Sequence, residues 1–191
     1  MTNTIIIAET AGVLDYEAKT PIENFSHVVR VNSGWDVGFS QHVGNRIDTL
    51  VLNPWFVHVP EKRNAIQTKP SYPEIGKILI APSSGVEYSM PENISELFPN
   101  KEVTAISHSI FHHAIAVTKL HAHFSIYLAA LHYLELEGAV TVYGFNPEKY
   151  THFWEDYSYP CLNGRSPKET LQAEKTHLQS LGNVTFLEDT L

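Results

Sequence analysis

Thr4-Ile5-Ile6-Ile7-Ala8, residues 4–8, is a short β-branched run with no polar alternation, followed at once by Glu9-Thr10-Ala11-Gly12. A run of that length and composition, bounded by a turn, reads as a strand buried on both faces. The same pattern returns as HVVRVN (27–32), TLVLNP (49–54), KILIA (77–81), AVTVYGF (139–145) and NVTFL (183–187). Between the later runs the apolar period lengthens to that of a helix, over residues 91–98, a His-rich stretch at 109–120, then 122–137 and 167–181. Strands alternating with helices predict an α/β fold, a Rossmann-like, mostly parallel sheet with helices on both faces. The 191 residues fit one domain, 1–191.

Two of the helices carry sharper signals. In 122–137, Phe124, Tyr127, Leu128, Leu131 and Leu134 recur at spacings of three and four, which predicts one buried face, with His121, Ser125 and His132 on another. Gly138 supplies the stop. The last helix opens Ser166-Pro167-Lys168-Glu169, an N-cap serine, proline at the first helical position and glutamate three residues after the cap. Residues 53–73 hold prolines and aromatics without a period and read as an extended surface excursion.

Composition limits the function. The chain is 43% hydrophobic and 18% charged, which is globular rather than disordered. A formal net charge of -8 excludes a protein that coats nucleic-acid phosphates, since that affinity comes from Lys and Arg displacing counterions. Cys161 is the only cysteine, so no disulfide closes within the chain and a reducing, cytoplasmic setting is expected. The most apolar stretch, 124–134, is shorter than the about 20 residues a membrane span needs. An oligomer is left open.

In doubly wound sheets, ligands bind beyond the carboxyl ends of the strands, where loops and helix N-termini present N–H groups. The first such loop, Glu9 to Gly12, has one glycine and matches neither the dinucleotide fingerprint nor a P-loop. It is either a phosphate cradle formed by Thr10 and Gly12 or a plain strand-to-helix turn. The second strand ends in Asn32-Ser33-Gly34, and an Asn amide there can donate to and accept from a base or ribose, or simply build the turn. Beyond AVTVYGF come His152-Phe153-Trp154-Glu155 and Tyr157. Histidine titrates near working pH and a carboxylate can orient it, so His152 and Glu155 are candidates for acid/base chemistry, against an amphipathic loop with solvated charges. His108, His112, His113, His121 and His123 form the densest histidine cluster. No glutamate stands in a zincin arrangement and no cysteine is near, so packed or surface histidines, not metal ligands, are expected.

Two segments resemble the signatures of the sialyltransferases, both the animal-type and the bacterial Campylobacter-type families. RVNSGWDVGFSQHVGNRID (30–48) resembles the large sialyl motif, VTVYGF (140–145) the end of the small one, and His152-Phe153-Trp154-Glu155 the short motif that follows. The resemblance implies a CMP-sugar donor, a glycan acceptor, inversion at the anomeric carbon and no metal or other cofactor. It further implies that Asn32 and Ser33 contact the cytidine part, that Thr10 and Gly12 lie near the phosphate, and that His152 acts as base beside Glu155. His123 and Ser125 stand where the family has its donor-binding Ser/Thr-Gly, Tyr143 lies in the small motif, and Tyr157 or Tyr159 reaches the donor phosphate. The family histidine before the final helix falls near Ser166 here. The implied function is glycosyl transfer, with an inactive nucleotide-binding module of the same fold, or a metal-dependent hydrolase using the histidine cluster, as alternatives.

Overall fold

The computed structural model describes residues 4–8, 10–15, 18–32, 40–82, 94–120, 123–150 and 166–190. Seven strands form one parallel sheet: β1 (Thr4–Ile7), β2 (His27–Val31), β3 (Thr49–Leu52), β4 (Lys77–Ile80), β5 (Glu102–Ala105), β6 (Val140–Tyr143) and β7 (Val184–Phe186). Their order across the sheet is β5-β4-β3-β2-β1-β6-β7. The chain steps outward from β1 to β5, then crosses back to place β6 on the other side of β1. Helices α1 (Lys19–Glu23), α2 (Ser40–Val43), α3 (Pro54–His58), α4 (Pro60–Gln67), α5 (Ile94–Leu97), α6 (His108–Thr118), α7 (Ser125–Glu137) and α8 (Pro167–Ser180) connect them.

The apolar runs become strands because a central parallel strand covered on both faces has no use for polar side chains: all of β1, β3 and β6 is buried. The core divides in two. One cluster joins β1, β2 and β6 to α7 and α8 through residues such as Ile6, Val29, Leu128, Val142 and Leu178. The other packs Leu50, Leu52, Ile78 and Ile80 against Phe56, Val57, Ile66 and Phe98.

That second cluster corrects the reading of 53–73 as an extended excursion. Pro54 and Pro60 do not break helices there but begin them, at the first-turn positions of α3 and α4, where a missing N–H costs nothing. The segment then covers the outer half of the sheet. Two further boundaries shift. Helix 91–98 contracts to α5 among the described residues, and α7 begins at Ser125 rather than 122. The first two turns of α7 are buried on every side, from Ser125 to Leu131, rather than along one face, because β1, β3, β6 and α8 all pack against the helix. The edge strand β5, with only Val103 turned to the core, was not anticipated.

Candidate active site

The strand order changes direction between β1 and β6, the switch point beyond whose carboxyl ends open α/β sheets hold a ligand crevice. Helix α7 returns antiparallel to the strands, so its N-terminus stands at that same end. Three groups of residues meet this edge: the turn after β1 with the loop after β6, the ends of β2 and β3, and the corner before α7.

The first group is a tight knot. Ala8 N–H donates to the Tyr143 carbonyl at 2.9 Å, and Thr10 Oγ1 donates to the Gly144 carbonyl at 2.5 Å. Residues 11–15 form a 3-10 turn whose Val13 carbonyl accepts from the Tyr143 hydroxyl at 2.7 Å. Gly12 lacks a side chain because a Cβ there would lie 2.7 Å from Asn146 Cβ. Gly144 has φ of +75°, and its Cβ would sit 2.2 Å from Val13 Cγ1. Thr10 and Gly12 therefore pack β1 against β6, which is the plain-turn role, and the hydroxyl of Thr10 is already engaged. Tyr143 is a core residue: it is fully buried and its phenol supports Val13, so its side chain presents no surface to a ligand.

At the ends of β2 and β3, Asn32 takes the left-handed region, with φ of 50°, which asparagine tolerates better than most residues. Its N–H donates to the Val51 carbonyl at 2.7 Å and its Oδ1 accepts from Asn53 N–H at 3.0 Å. Asn53 in turn accepts from Trp55 and Phe56 N–H, capping α3. In the sequence Asn53 closes the TLVLNP run and opens the 53–73 excursion, although Asn-Pro after an apolar run is a helix-start signal. Trp55, half exposed under the ammonium of Lys62, stands two residues further along. The Arg30 of the R-x-N pattern is turned inward: its guanidinium donates to the carbonyls of Val43, Gly44 and Arg46, holding α2 in place, and burial pushes its pKa down to about 10.

The corner before α7 holds the least expected chemistry. His123 Nδ1 lies 3.1 Å from Glu174 Oε1 of α8, both side chains wholly buried, and Phe124 N–H donates to the same oxygen at 3.1 Å. Burial pushes the Glu174 carboxyl well above its ordinary range, opposed by the Phe124 hydrogen bond. Among the described residues its other oxygen, Oε2, has no hydrogen-bond partner, nor has the hydroxyl of Thr170 one turn earlier. The His123 ring stacks near Tyr127 at 5.2 Å, and the Tyr127 hydroxyl meets His177 Nδ1 at 2.7 Å. Ser125 is buried within the first turn of α7. Glu174 had a sequence signal: Leu171, Glu174 and Leu178 follow the helical period, which puts a carboxylate in the core stripe of α8.

His108 and His112 remain exposed on α6 with rings 6.4 Å apart. Among the described residues no group of three or more His, Cys, Asp or Glu side chains is arranged to hold a metal ion. Ser166 caps α8 with the full reciprocal capping box to Glu169. His152, Glu155, Ser33, Tyr157, Tyr159, His121 and Cys161 lie outside the described residues. A groove of about 640 Å³ between α6 and α8, lined by Val117, Lys168, Gln172 and His177 among others, does not include the crevice residues. Among the described residues no helix is long and apolar enough to cross a membrane.

This architecture is the fold of the sialyltransferases, a class of glycosyltransferase built on a Rossmann-like sheet. A monofunctional α-2,3-sialyltransferase, Cst-I from Campylobacter jejuni, superposes with a TM-score of 0.64 at 16% identity, over 98% of this chain and 76% of the other. The sialyltransferase CST-II in complex with a trisaccharide acceptor and CMP gives 0.59 at 14% identity, over 96% and 80%. A mammalian sialyltransferase bound to Gal-β-1-3GalNAc-ortho-nitrophenol also gives 0.59, at 11% identity, over 96% and 68%. No protein-family model and no curated protein matches the chain.

Proposed function

We propose that the chain is one nucleotide-sugar-binding domain that transfers a sugar from a CMP-linked donor to a glycan acceptor, with inversion and without metal. The observation that carries this reading is the switch point between β1 and β6, in a fold shared with a CMP-bound sialyltransferase. Asn32 and Ser33 take the cytidine part, with Asn53 holding Asn32 in register. The donor phosphate lies between Thr10 and the α7 corner of His123 and Ser125, with Tyr157 closing over it. Gly12 and Tyr143 support that wall from behind. His152, oriented by Glu155, removes the acceptor hydroxyl proton; the oxygen attacks the anomeric carbon as the bond to phosphate breaks, and CMP leaves.

The test is CMP release with CMP-sialic acid or CMP-Kdo and candidate glycans. Release above background, lost in His152→Ala, supports the reading. No release with any CMP-sugar, together with no change in melting temperature on adding CMP or CDP, overturns it. One observation favours a second reading, a nucleotide-binding module without turnover: Ser166, where the family has its histidine, is fully engaged as a helix cap. That reading predicts stabilisation by CMP, no release, and indifference to His152→Ala.

A further inference from the structure

We infer that Glu174 is a positioning residue of the nucleotide site, one that fixes the His123-Phe124-Ser125 corner from behind; the inference rests on the site assigned above. Glu174 lies two helical turns into α8, between Leu171 and Leu178 on the buried stripe. A leucine at that position would continue the stripe. Among the described residues the carboxyl instead loses its water, gains hydrogen bonds at Oε1 alone, and leaves Oε2 without a partner. Such a group is a poor device for stability, because a buried acid that is only half satisfied is less favourable than a well-packed apolar residue. It is a good device for position. One oxygen accepts from the Phe124 main chain and also meets the His123 imidazole, so the backbone and the side chain of the corner are held to a single point.

The corner needs such a hold. Helix α7 has no side chain of its own capping its start: Phe124 occupies the N-cap position and makes no side-chain cap bond. In its first turn the Tyr127 N–H donates to the Phe124 carbonyl at 3.1 Å, while the Phe124 N–H itself has no acceptor within the helix. The cap comes from α8 instead, at a residue 50 positions further along the chain. The same fully buried acid thus sets the place of the donor-facing residues without touching the donor.

Amide hydrogen exchange across residues 123–128, measured with and without CMP on the full chain, tests this. In Glu174→Met, which keeps the volume and removes both acceptors, exchange at the corner should rise about tenfold and CMP should bind about tenfold more weakly, the loss of one backbone hydrogen bond. Glu174→Gln, which keeps an acceptor carbonyl, should restore both to within about threefold of the wild type. Leu178→Ala, which weakens the packing of α8 without touching the corner, should lower the melting temperature and leave CMP affinity in place. If Glu174→Met leaves corner exchange and CMP affinity unchanged, or if it falls no further than Leu178→Ala at matched stability, the positioning role is wrong. A measurement without any Glu174 variant decides as well: in the wild type, CMP should slow exchange at Phe124 to Ile126. CMP binding that leaves those amides unaffected overturns this inference alone, whereas absence of any CMP binding overturns the nucleotide reading and the positioning role together.

Discussion

The turn after β1 and the corner before α7 stand at the same end of the sheet, but the first is fixed by close backbone approach and neutral hydrogen bonds, and the second by a buried acid. Around Gly12 and Gly144 two chain segments lie so near that no Cβ fits between them, and the bonds joining them run from hydroxyls to backbone carbonyls, with Glu188 Oε2 accepting from the Gly144 N–H at the margin. Around His123 the contact is between ionisable side chains from different helices. A wall held by shape keeps its form across pH. A wall held by a buried carboxyl group is sensitive to pH, and that is where a ligand's charge can act.

The contrast can be broken most severely at Gly144. Its alanine variant places a methyl against Val13 in a left-handed conformation, so a loss of about 3 kcal/mol is expected. In a chain of this size that is a fall of roughly 6–12 °C in melting temperature, followed by circular dichroism. Next is Thr10→Val, which keeps the shape and removes the donor to the Gly144 carbonyl. Urea titration should show a loss of about 1.5 kcal/mol without pH dependence, since the hydroxyl and the carbonyl it joins do not ionise. Ser166→Ala removes the cap of the helix that carries Glu174, and should cost about 1 kcal/mol while leaving CMP-sugar turnover unchanged; lost turnover would reinstate Ser166 as a chemical group.

The smallest change at any single pH, and the sharpest test of the contrast, is in Glu174→Gln. Burial raises the Glu174 pKa above 4.5, so the folded chain keeps a proton that the unfolded chain releases. Its contribution to stability is therefore full below 4.5 and declines as pH rises through the raised value. Urea midpoints of the wild type should fall over that window, and those of the glutamine variant should fall less. Parallel curves for the two proteins would mean that the corner is as insensitive to pH as the first turn.

Much of the fold was legible because buried parallel strands must be apolar throughout, as β1, β3 and β6 are. The strand at Glu102–Ala105 escaped notice because an edge strand needs only one inward residue, here Val103. The helices at Pro54 and Pro60 escaped because proline breaks a helix interior and starts a helix end with equal readiness, and only the packing of Phe56, Val57 and Ile66 distinguishes the two. The site was less legible. Asn32 could be chosen from its place after a strand, but its bond to Asn53 depends on the neighbouring strand's register. Tyr143 lies in the small-motif strand, which makes it a candidate for the site, but its ring is turned into the core. The pairing of His123 with Glu174 joins residues 51 apart and follows from how α8 lies on α7, which no local pattern encodes.

The place of β1 in the middle of the sheet has a consequence for the birth of the molecule. β1 finds one partner early, with Thr4 beside His27, but its other edge waits for β6, where Ile5 meets Thr141. The bond between Thr10 and Gly144 closes a separation of 134 residues. During synthesis β2 to β5 emerge first, and the edge carrying Ile5, Ile6 and Ile7 stays open to any passing strand until the ribosome has delivered the sixth. The crevice is thus among the last parts of the sheet to come into existence, and a nascent chain stalled before β6 would be a client for chaperones with no pocket to show a ligand.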